Sequence, residues 1–222
     1  ILDKLDYEYI ASHPKLVVGF SDVTALQIAL WEKCHLVTAN GPLMVTLGGS
    51  DAYTAGQFFK GLTTDAWQGP LALPAGRKLT TVVPGQAEGP IVGGNLTVLT
   101  SLVGTPYALD GTGCILVLED TGEDAYRIDR MLNQLWQSGL LSRVAAIAYG
   151  DFTDCPNDPG DFTTDQVLDY YAHLAGKPAI KGLPVGHTKD KAFVPYGVKV
   201  RLDADGEGAS LTFIDVCGIR PL

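Results

Sequence analysis

The sequence has few basic residues and no long apolar run. Its 222 residues include 16 Lys and Arg against 25 Asp and Glu, which gives a formal net charge of -9. Because a negative protein repels a phosphate backbone and no basic cluster offsets this charge, we expect no nucleic-acid partner. No apolar stretch approaches the roughly 20 residues that a membrane-spanning helix needs, so we also expect no membrane partner.

Cysteine is scarce as well. The four cysteines, Cys34, Cys114, Cys155 and Cys217, form no Cys-x-x-Cys pair, and no histidine stands at ligand spacing from them. We therefore predict no metal site. Cys34 and Cys114 lie in apolar surroundings, which is typical of buried free thiols. Free thiols favour a reducing compartment, with two disulfides as the open alternative.

Short apolar runs alternate with helical patterns along the chain. Hydrophobic residues make up 46% of the sequence, enough for a packed core. The periodicity predicts strands at 15–20, 36–38, 114–118 and 144–149, helices at 22–34, 53–62, 96–103, 125–138 and 164–175, and a closing hairpin of 198–202 and 209–214 around Asp205-Gly206. Strand-helix-strand alternation in both halves predicts an α/β fold. Gly and Pro cluster between 69 and 90, so we place a domain junction at 71–90, between domains at 1–70 and 91–222.

Three reactive side chains directly follow apolar runs that predict buried strands: Ser21 after 16–20, Glu119 after 115–118 and His187 after 183–186. Ligands of open α/β sheets collect at the carboxyl ends of strands, so these positions are candidates for a site. Together the three residues supply a nucleophile, an acid that orients a base, and the base itself. Their order along the chain is the order found in α/β-hydrolases.

Ser21 lies in a pattern typical of a nucleophile elbow. A strand, Gly19, a bulky residue and Ser21 precede a helix, and the N–H of Asp22 would face the oxyanion that forms on attack. Many elbows have a second Gly two residues after the serine, where this chain has Val23. The alternative is that Ser21 only caps the helix.

The other two candidates have rivals. Alternation along the strand separates Glu119 from Asp120 without deciding which of them faces the site, and Glu123 follows closely. His13, His35 and His173 compete with His187, but only His187 follows a buried strand in a Gly-flanked turn. For each of these residues, a structural role is the alternative.

Several stretches resemble the LD-carboxypeptidase family. They are 19–25 (GFSDVTA), 41–44 (GPLM), 88–90 with 93–96 (EGP, GGNL), 116–120 with 126–132 (LVLED, YRIDRML) and 182–187 (GLPVGH). The resemblance implies that Ser21, Glu119 and His187 form a catalytic triad, and it selects Glu119 over Asp120. It also implies an incomplete Rossmann-like N-terminal domain carrying the nucleophile, a C-terminal α/β domain carrying the acid and base, and a site in the cleft between them.

The resemblance further implies a cytoplasmic homodimer that needs no cofactor. It would remove the terminal D-alanine from murein tetrapeptides during cell-wall recycling. Family members normally begin with further strands and a Gly-rich loop before the position of Ile1, so we expect the 222-residue chain to be inactive unless another chain supplies that segment. Asn95 is a candidate substrate-binding residue or a turn residue, and Arg127 and Arg130 are candidates for gripping the substrate carboxylate.

Two alternatives stay open. The microcin-immunity branch of the family cleaves a peptide–nucleotide conjugate, for which Trp67 could stack on a base. A non-catalytic binding protein on the same scaffold is the alternative from a different class.

Overall fold

The computed structural model describes residues 1–64, 68–156, 160–205 and 208–214. After a 3-10 turn at Leu2–Lys4, the helices are α1 Tyr7–Ser12, α2 Val23–Cys34, α3 Met44–Leu47, α4 Ala52–Thr63, α5 Leu96–Ser101, α6 Ala125–Gln137, α7 Leu140–Arg143 and α8 Thr164–Ala175. The strands are β1 Val18–Gly19, β2 Thr38–Asn40, β3 Gly69–Pro70, β4 Thr80–Val83, β5 Gln86–Asn95, β6 Ile115–Thr121, β7 Ala146–Thr153, β8 Ala179–Lys181, β9 Val194–Tyr196, β10 Lys199–Asp203 and β11 Ser210–Phe213.

The strands form two sheets. The small sheet has the order β1-β2-β9, and the large sheet has the order β3-β11-β10-β5-β6-β7-β8-β4. The centre of the large sheet is parallel, from β5 through β6 and β7 to β8. The predicted α/β fold is therefore confirmed. Parallel strands with both faces covered read as continuous apolar runs, which is why β6 gave a clear signal in the sequence.

The core lies on both faces of β6. Leu116 and Leu118 pack on one face with apolar residues of α5 and α6, such as Leu99 and Leu132. Ile115 and Val117 belong to the cluster on the opposite face. All four β6 side chains are fully buried. Burying one such side chain contributes about 1.5–3 kcal/mol, so β6 is held firmly at the centre of the molecule.

The predicted helices of ten or more residues are confirmed within one or two residues at each end. The predicted closing hairpin is also confirmed, because β10 and β11 pair antiparallel; residue 206 of its turn lies outside the described residues. Cys34 and Cys114 are buried free thiols, as expected, and Cys217 lies outside the described residues. Within the described part of the chain, no helix is long and apolar enough to cross a membrane.

The Gly- and Pro-rich stretch at 71–90 contains regular structure that the sequence patterns did not predict. It holds β4 and the first half of β5, the strand beside β6. Gly89 serves close packing there, since a Cβ on it would lie 2.0 Å from the carbonyl oxygen of Gly113. The division of the chain into domains at this stretch stays a prediction.

Candidate active site

Ser21 occupies a sharp turn between β1 and α2. Its φ of 61° lies in the left-handed region, which non-glycine residues rarely adopt. Gly19 is needed for this turn, since a Cβ there would lie 2.8 Å from Cγ1 of Val23. The helix begins at Val23 with Asp22 at the N-cap position and no side-chain cap hydrogen bond. The alternative that Ser21 caps the helix is therefore wrong, and the strained turn leaves its hydroxyl for another partner.

That partner is the imidazole of His187. Nε2 of His187 lies 3.1 Å from Oγ of Ser21, and its Nδ1 lies 3.0 Å from Oε2 of Glu119. Because a carboxylate oxygen only accepts, Nδ1 carries the hydrogen and Nε2 is left to accept the Ser21 hydroxyl proton. The rings of Phe20 and His187 pack edge to face, with their centroids 5.0 Å apart. Residues 166 positions apart in the chain thus meet in the arrangement that a nucleophile, a base and an orienting acid require.

Glu119 is fully buried, and two glycines make room for it. A Cβ on Gly186 would lie 2.8 Å from Oε2 of Glu119, and a Cβ on Gly150 would lie 3.1 Å from its Cβ. Oε1 of Glu119 has no hydrogen-bond partner among the described residues, so the His187 contact is the principal anchor of the carboxylate. Glycines therefore allow the His187 turn to approach the buried acid closely.

Asp120 points to the opposite side of β6. Its carboxylate accepts hydrogen bonds from Nδ2 of Asn95 at 2.9 Å, from the backbone N–H of Thr97 at 2.9 Å and from the Thr97 hydroxyl at 2.8 Å. The alternation expected along the strand is thus observed, with Glu119 toward His187 and Asp120 toward α5. Asp120 stabilises the start of α5, where a negative charge complements the helix dipole.

Asn95 makes the turn into α5. Its side-chain oxygen accepts from the backbone N–H of Val98 at 3.1 Å, and its own N–H donates to Oγ1 of Thr24 at 3.0 Å. Gly94 permits this approach of α2, since a Cβ there would lie 2.4 Å from the same Oγ1. The turn role of Asn95 is observed, and its role in substrate binding stays a prediction.

The remaining sequence candidates have local contacts. Arg127 lies within 3.7 Å of both Glu123 and Asp124, and Arg130 stacks over the Tyr126 ring at 4.9 Å. Both arginines are exposed. The rival histidines, His13, His35 and His173, lie in or next to α1, α2 and α8, and His13 and His173 accept or donate bonds only within their own helical segment among the described residues.

Two residues that support the site, Gln27 and Arg77, were not identified from the sequence patterns. Gln27, buried on α2, donates to the carbonyl of Ala39 at 2.7 Å and to that of Gly19 at 3.3 Å, so it ties the elbow to β2. Arg77 forms an ion pair with Asp151 at 2.6 Å and donates to the carbonyl of Leu183 at 3.0 Å, just before the His187 turn. In the sequence, a polar amide among the apolar residues of α2 could have indicated the supporting role of Gln27. No feature of the sequence indicated the role of Arg77.

Two further titratable groups lie close to the three residues. Tyr196 is buried, and its pKa is raised well above the ordinary value, first by burial and then by the charge of Glu119. The ammonium of Lys191 lies 4.7 Å from the centroid of the Phe20 ring and donates to the carbonyl of Thr188. Burial lowers the pKa of Lys191, and the nearby negative charges of Glu119 and Asp151 oppose that shift.

Fold and site geometry together define an α/β protein with a serine, a histidine and a glutamate arranged as in serine hydrolases. Within that class, the chain belongs to the LD-carboxypeptidase family. Residues 88–202 match the LD-carboxypeptidase C-terminal domain, and residues 1–41 match the LD-carboxypeptidase N-terminal domain.

Named relatives come from several bacteria. The chain is 38% identical over 207 residues to the "probable murein peptide carboxypeptidase" of Bacillus subtilis, an overlap of 90% of this chain and 63% of that protein. It is 32% identical over 200 residues to the murein tetrapeptide carboxypeptidase of Pseudomonas aeruginosa, an overlap of 88% of this chain and 65% of that protein. It is 29% identical over 250 residues to the microcin C7 self-immunity protein MccF of Escherichia coli, an overlap of 96% of this chain and 70% of that protein. The chain thus spans less than two thirds of the first two proteins.

Solved structures share the fold. The muramoyltetrapeptide carboxypeptidase of Oxalobacter formigenes superposes with a TM-score of 0.80 at 32% identity, covering 98% of this chain and 73% of that one. MccF in complex with glutamyl sulfamoyl guanosine gives a TM-score of 0.85 at 23% identity, covering 98% of this chain and 72% of that one. The second likeness concerns the fold alone.

Proposed function

We propose that this chain forms the greater part of a serine carboxypeptidase that removes the terminal D-alanine from murein tetrapeptides. The observation that carries the proposal is the imidazole of His187, held between the Ser21 hydroxyl at 3.1 Å and the Glu119 carboxylate at 3.0 Å. Both distances fall within the range that nucleophile–base and base–orienter contacts need.

In this mechanism Oγ of Ser21 attacks the scissile carbonyl carbon while Nε2 of His187 takes the hydroxyl proton. The imidazolium then gives that proton to the leaving amine, and water hydrolyses the acyl-enzyme with His187 again as the base. The buried carboxylate of Glu119 keeps Nδ1 protonated and stabilises the imidazolium. No described residue accepts a hydrogen bond from the backbone N–H of Asp22, and we assign that donor to the oxyanion.

The substrate part of the proposal rests on family membership and on the names of the relatives. Two of them are named for murein peptides, and the bond expected from the resemblance joins the L-centre of meso-diaminopimelate to D-alanine. A cytoplasmic location and a homodimer are proposed from the same resemblance. No metal or cofactor takes part in the proposed reaction.

The second candidate is cleavage of a peptide–nucleotide conjugate, as in microcin immunity. The similarity to the Escherichia coli MccF protein over 96% of this chain favours it. Trp67, the predicted stacking residue for that reaction, lies outside the described residues. A non-catalytic binding protein is the third candidate, and the assembled Ser21–His187–Glu119 contacts speak against it.

The test compares three compounds as substrates of the protein at its natural length: a murein tetrapeptide ending in D-alanine, its epimer ending in L-alanine, and an aminoacyl sulfamoyl nucleotide. We expect release of D-alanine from the first, with kcat/KM about 100-fold or more above the epimer, since the L form cannot place its methyl group and its carboxylate where the D form places both. Liquid chromatography with mass detection follows all three reactions. Faster cleavage of the nucleotide conjugate would replace the proposal with the microcin-immunity reaction, and cleavage of none would support a binding protein.

A further inference from the structure

Lys191 is a half-buried cation without a carboxylate partner. Among the described residues, no Asp or Glu oxygen lies within ion-pair distance of its ammonium, whereas Lys181 and Lys199 each have such a partner. The Lys191 ammonium instead contacts the Phe20 ring and the Thr188 carbonyl. Glu119 and Asp151 lie near enough to act on the Lys191 charge, but neither forms an ion pair with it. Partial removal of a charge from water without a directly paired carboxylate is costly, so this ammonium is suited to an anionic ligand.

The position of Lys191 relates it to the site. It lies four residues after His187, and the Phe20 ring contacts both the Lys191 ammonium and the His187 imidazole. Phe20 also precedes the nucleophile Ser21 directly. The backbone of the Lys191 loop is fixed, because the Lys191 N–H donates to Oγ1 of Thr54 at 2.9 Å and the Thr54 hydroxyl donates to the carbonyl of Lys189 at 3.2 Å. Packing and hydrogen bonds therefore hold the cation against the same Phe20 ring that the imidazole contacts.

The proposed chemistry places the free carboxylate of the substrate on the side of Ser21 where His187 lies. His187 protonates the leaving amine, so the departing amino acid must lie on the imidazole side of Ser21. In a carboxypeptidase that amino acid carries a free carboxylate, separated from the scissile carbon only by the amide nitrogen and the α-carbon. The Lys191 ammonium contacts the same Phe20 ring as the imidazole, so it is the positive group that we assign to that carboxylate.

We propose that the Lys191 ammonium binds the free α-carboxylate of the substrate's terminal residue and so restricts the enzyme to the chain end. This inference rests on the proposed carboxypeptidase function and adds the residue that reads the carboxylate. The flexible stem of lysine lets the ammonium leave the Thr188 carbonyl and form a charge-assisted hydrogen bond with the ligand. Neither Arg127 nor Arg130 is needed for this role.

The test measures kcat/KM for the murein tetrapeptide acid and for its C-terminal amide, in the wild type, Lys191→Met and Lys189→Met. Methionine keeps an unbranched apolar stem over Phe20 and removes the charge. Lys189 is exposed on the same loop, so its variant controls for the change in net charge. We expect Lys191→Met to lower kcat/KM for the acid about 10- to 100-fold, the effect of one charge-assisted contact, and to leave the amide unchanged. Lys189→Met should alter neither value.

The outcomes separate the two proposals. If the wild type cleaves the acid and Lys191→Met cleaves it equally well, or if the variant slows acid and amide alike, carboxylate recognition by Lys191 is wrong and the carboxypeptidase function stands. If the wild type does not cleave the acid, the carboxypeptidase function fails and the Lys191 inference fails with it. Partial recovery of acid cleavage in Lys191→Arg would further support recognition by charge.

Discussion

Replacing Ser21 by Ala is expected to lower kcat about 10⁴- to 10⁶-fold for the murein tetrapeptide, because the attacking oxygen is lost while the binding surfaces stay in place. Circular dichroism and the melting temperature should match the wild type, since among the described residues the hydroxyl bonds to His187 alone. Steady-state release of D-alanine measures the effect. Turnover within tenfold of the wild type would contradict the role of Ser21.

A second substitution at this position separates chemistry from strain. Ser21→Gly should be equally inactive, but its melting temperature should equal or exceed that of the wild type, because glycine adopts a φ of 61° without steric cost. Ser101→Ala, on the exposed end of α5, is the matched control and should keep full activity. A Ser21→Gly variant that unfolds would show that the hydroxyl, rather than the turn, supports the fold.

The second large effect is expected for Glu119→Gln. Glutamine fills the same buried space, but a neutral amide does not stabilise the imidazolium, and its NH₂ group can reverse the hydrogen bond to Nδ1 of His187. We expect kcat to fall about 10²- to 10⁴-fold with a smaller change in KM. Steady-state kinetics with the tetrapeptide measure both values.

Glu123→Gln is the charge-matched control for this variant. Glu123 lies 3.7 Å from the exposed Arg127, and exposed pairs of this kind contribute little to stability. Its variant should keep wild-type kcat and melting temperature. Equal losses of activity in Glu119→Gln and Glu123→Gln would mean that general charge, rather than the contact with His187, explains the effect.

The positions of the three central residues could be predicted, but their meeting could not. Ser21 and Glu119 lie at or just after the carboxyl-terminal part of a buried strand, where side chains are available for chemistry. The strand predicted at 183–186 is wrong, because β8 ends at Lys181 and His187 lies in the loop that follows it. However, Ser21 follows a strand of the small sheet, whereas Glu119 lies inside β6 of the large sheet, two residues before its end. How two sheets pack against each other depends on many long-range contacts, which periodicity along one chain does not encode.

Glycine misled the sequence reading in one place and guided it in another. Gly89 lies in β5 and has no room for a side chain, because a Cβ there would lie 2.0 Å from the carbonyl oxygen of Gly113, yet in the sequence this glycine looked like a chain breaker. Gly19 and Gly186 flank Ser21 and His187 and correctly marked the tight turns that present them. The choice of Glu119 over Asp120 needed family resemblance, since alternation alone gives two faces without naming the one that meets His187.

The roles of Lys191 and of the supporting residues Gln27 and Arg77 were harder to predict from the sequence than those of the three central residues. Arg77 stands among Gly and Pro residues, and its contact with Asp151 joins positions 74 residues apart. A single cation in a turn is most often a solvated side chain, so Lys191 was indistinguishable from Lys189 in the sequence. Only the three-dimensional contact with Phe20 sets the two lysines apart.

Labelling with a serine-directed fluorophosphonate, followed by peptide mass mapping, tests most directly whether His187 and Glu119 activate Ser21. The protein at its natural length should acquire one adduct, on Ser21, and Glu119→Gln should acquire it far more slowly. A protein that hydrolyses the tetrapeptide while Ser21 stays unlabelled, or one labelled on a different serine with parallel loss of activity, would contradict the account.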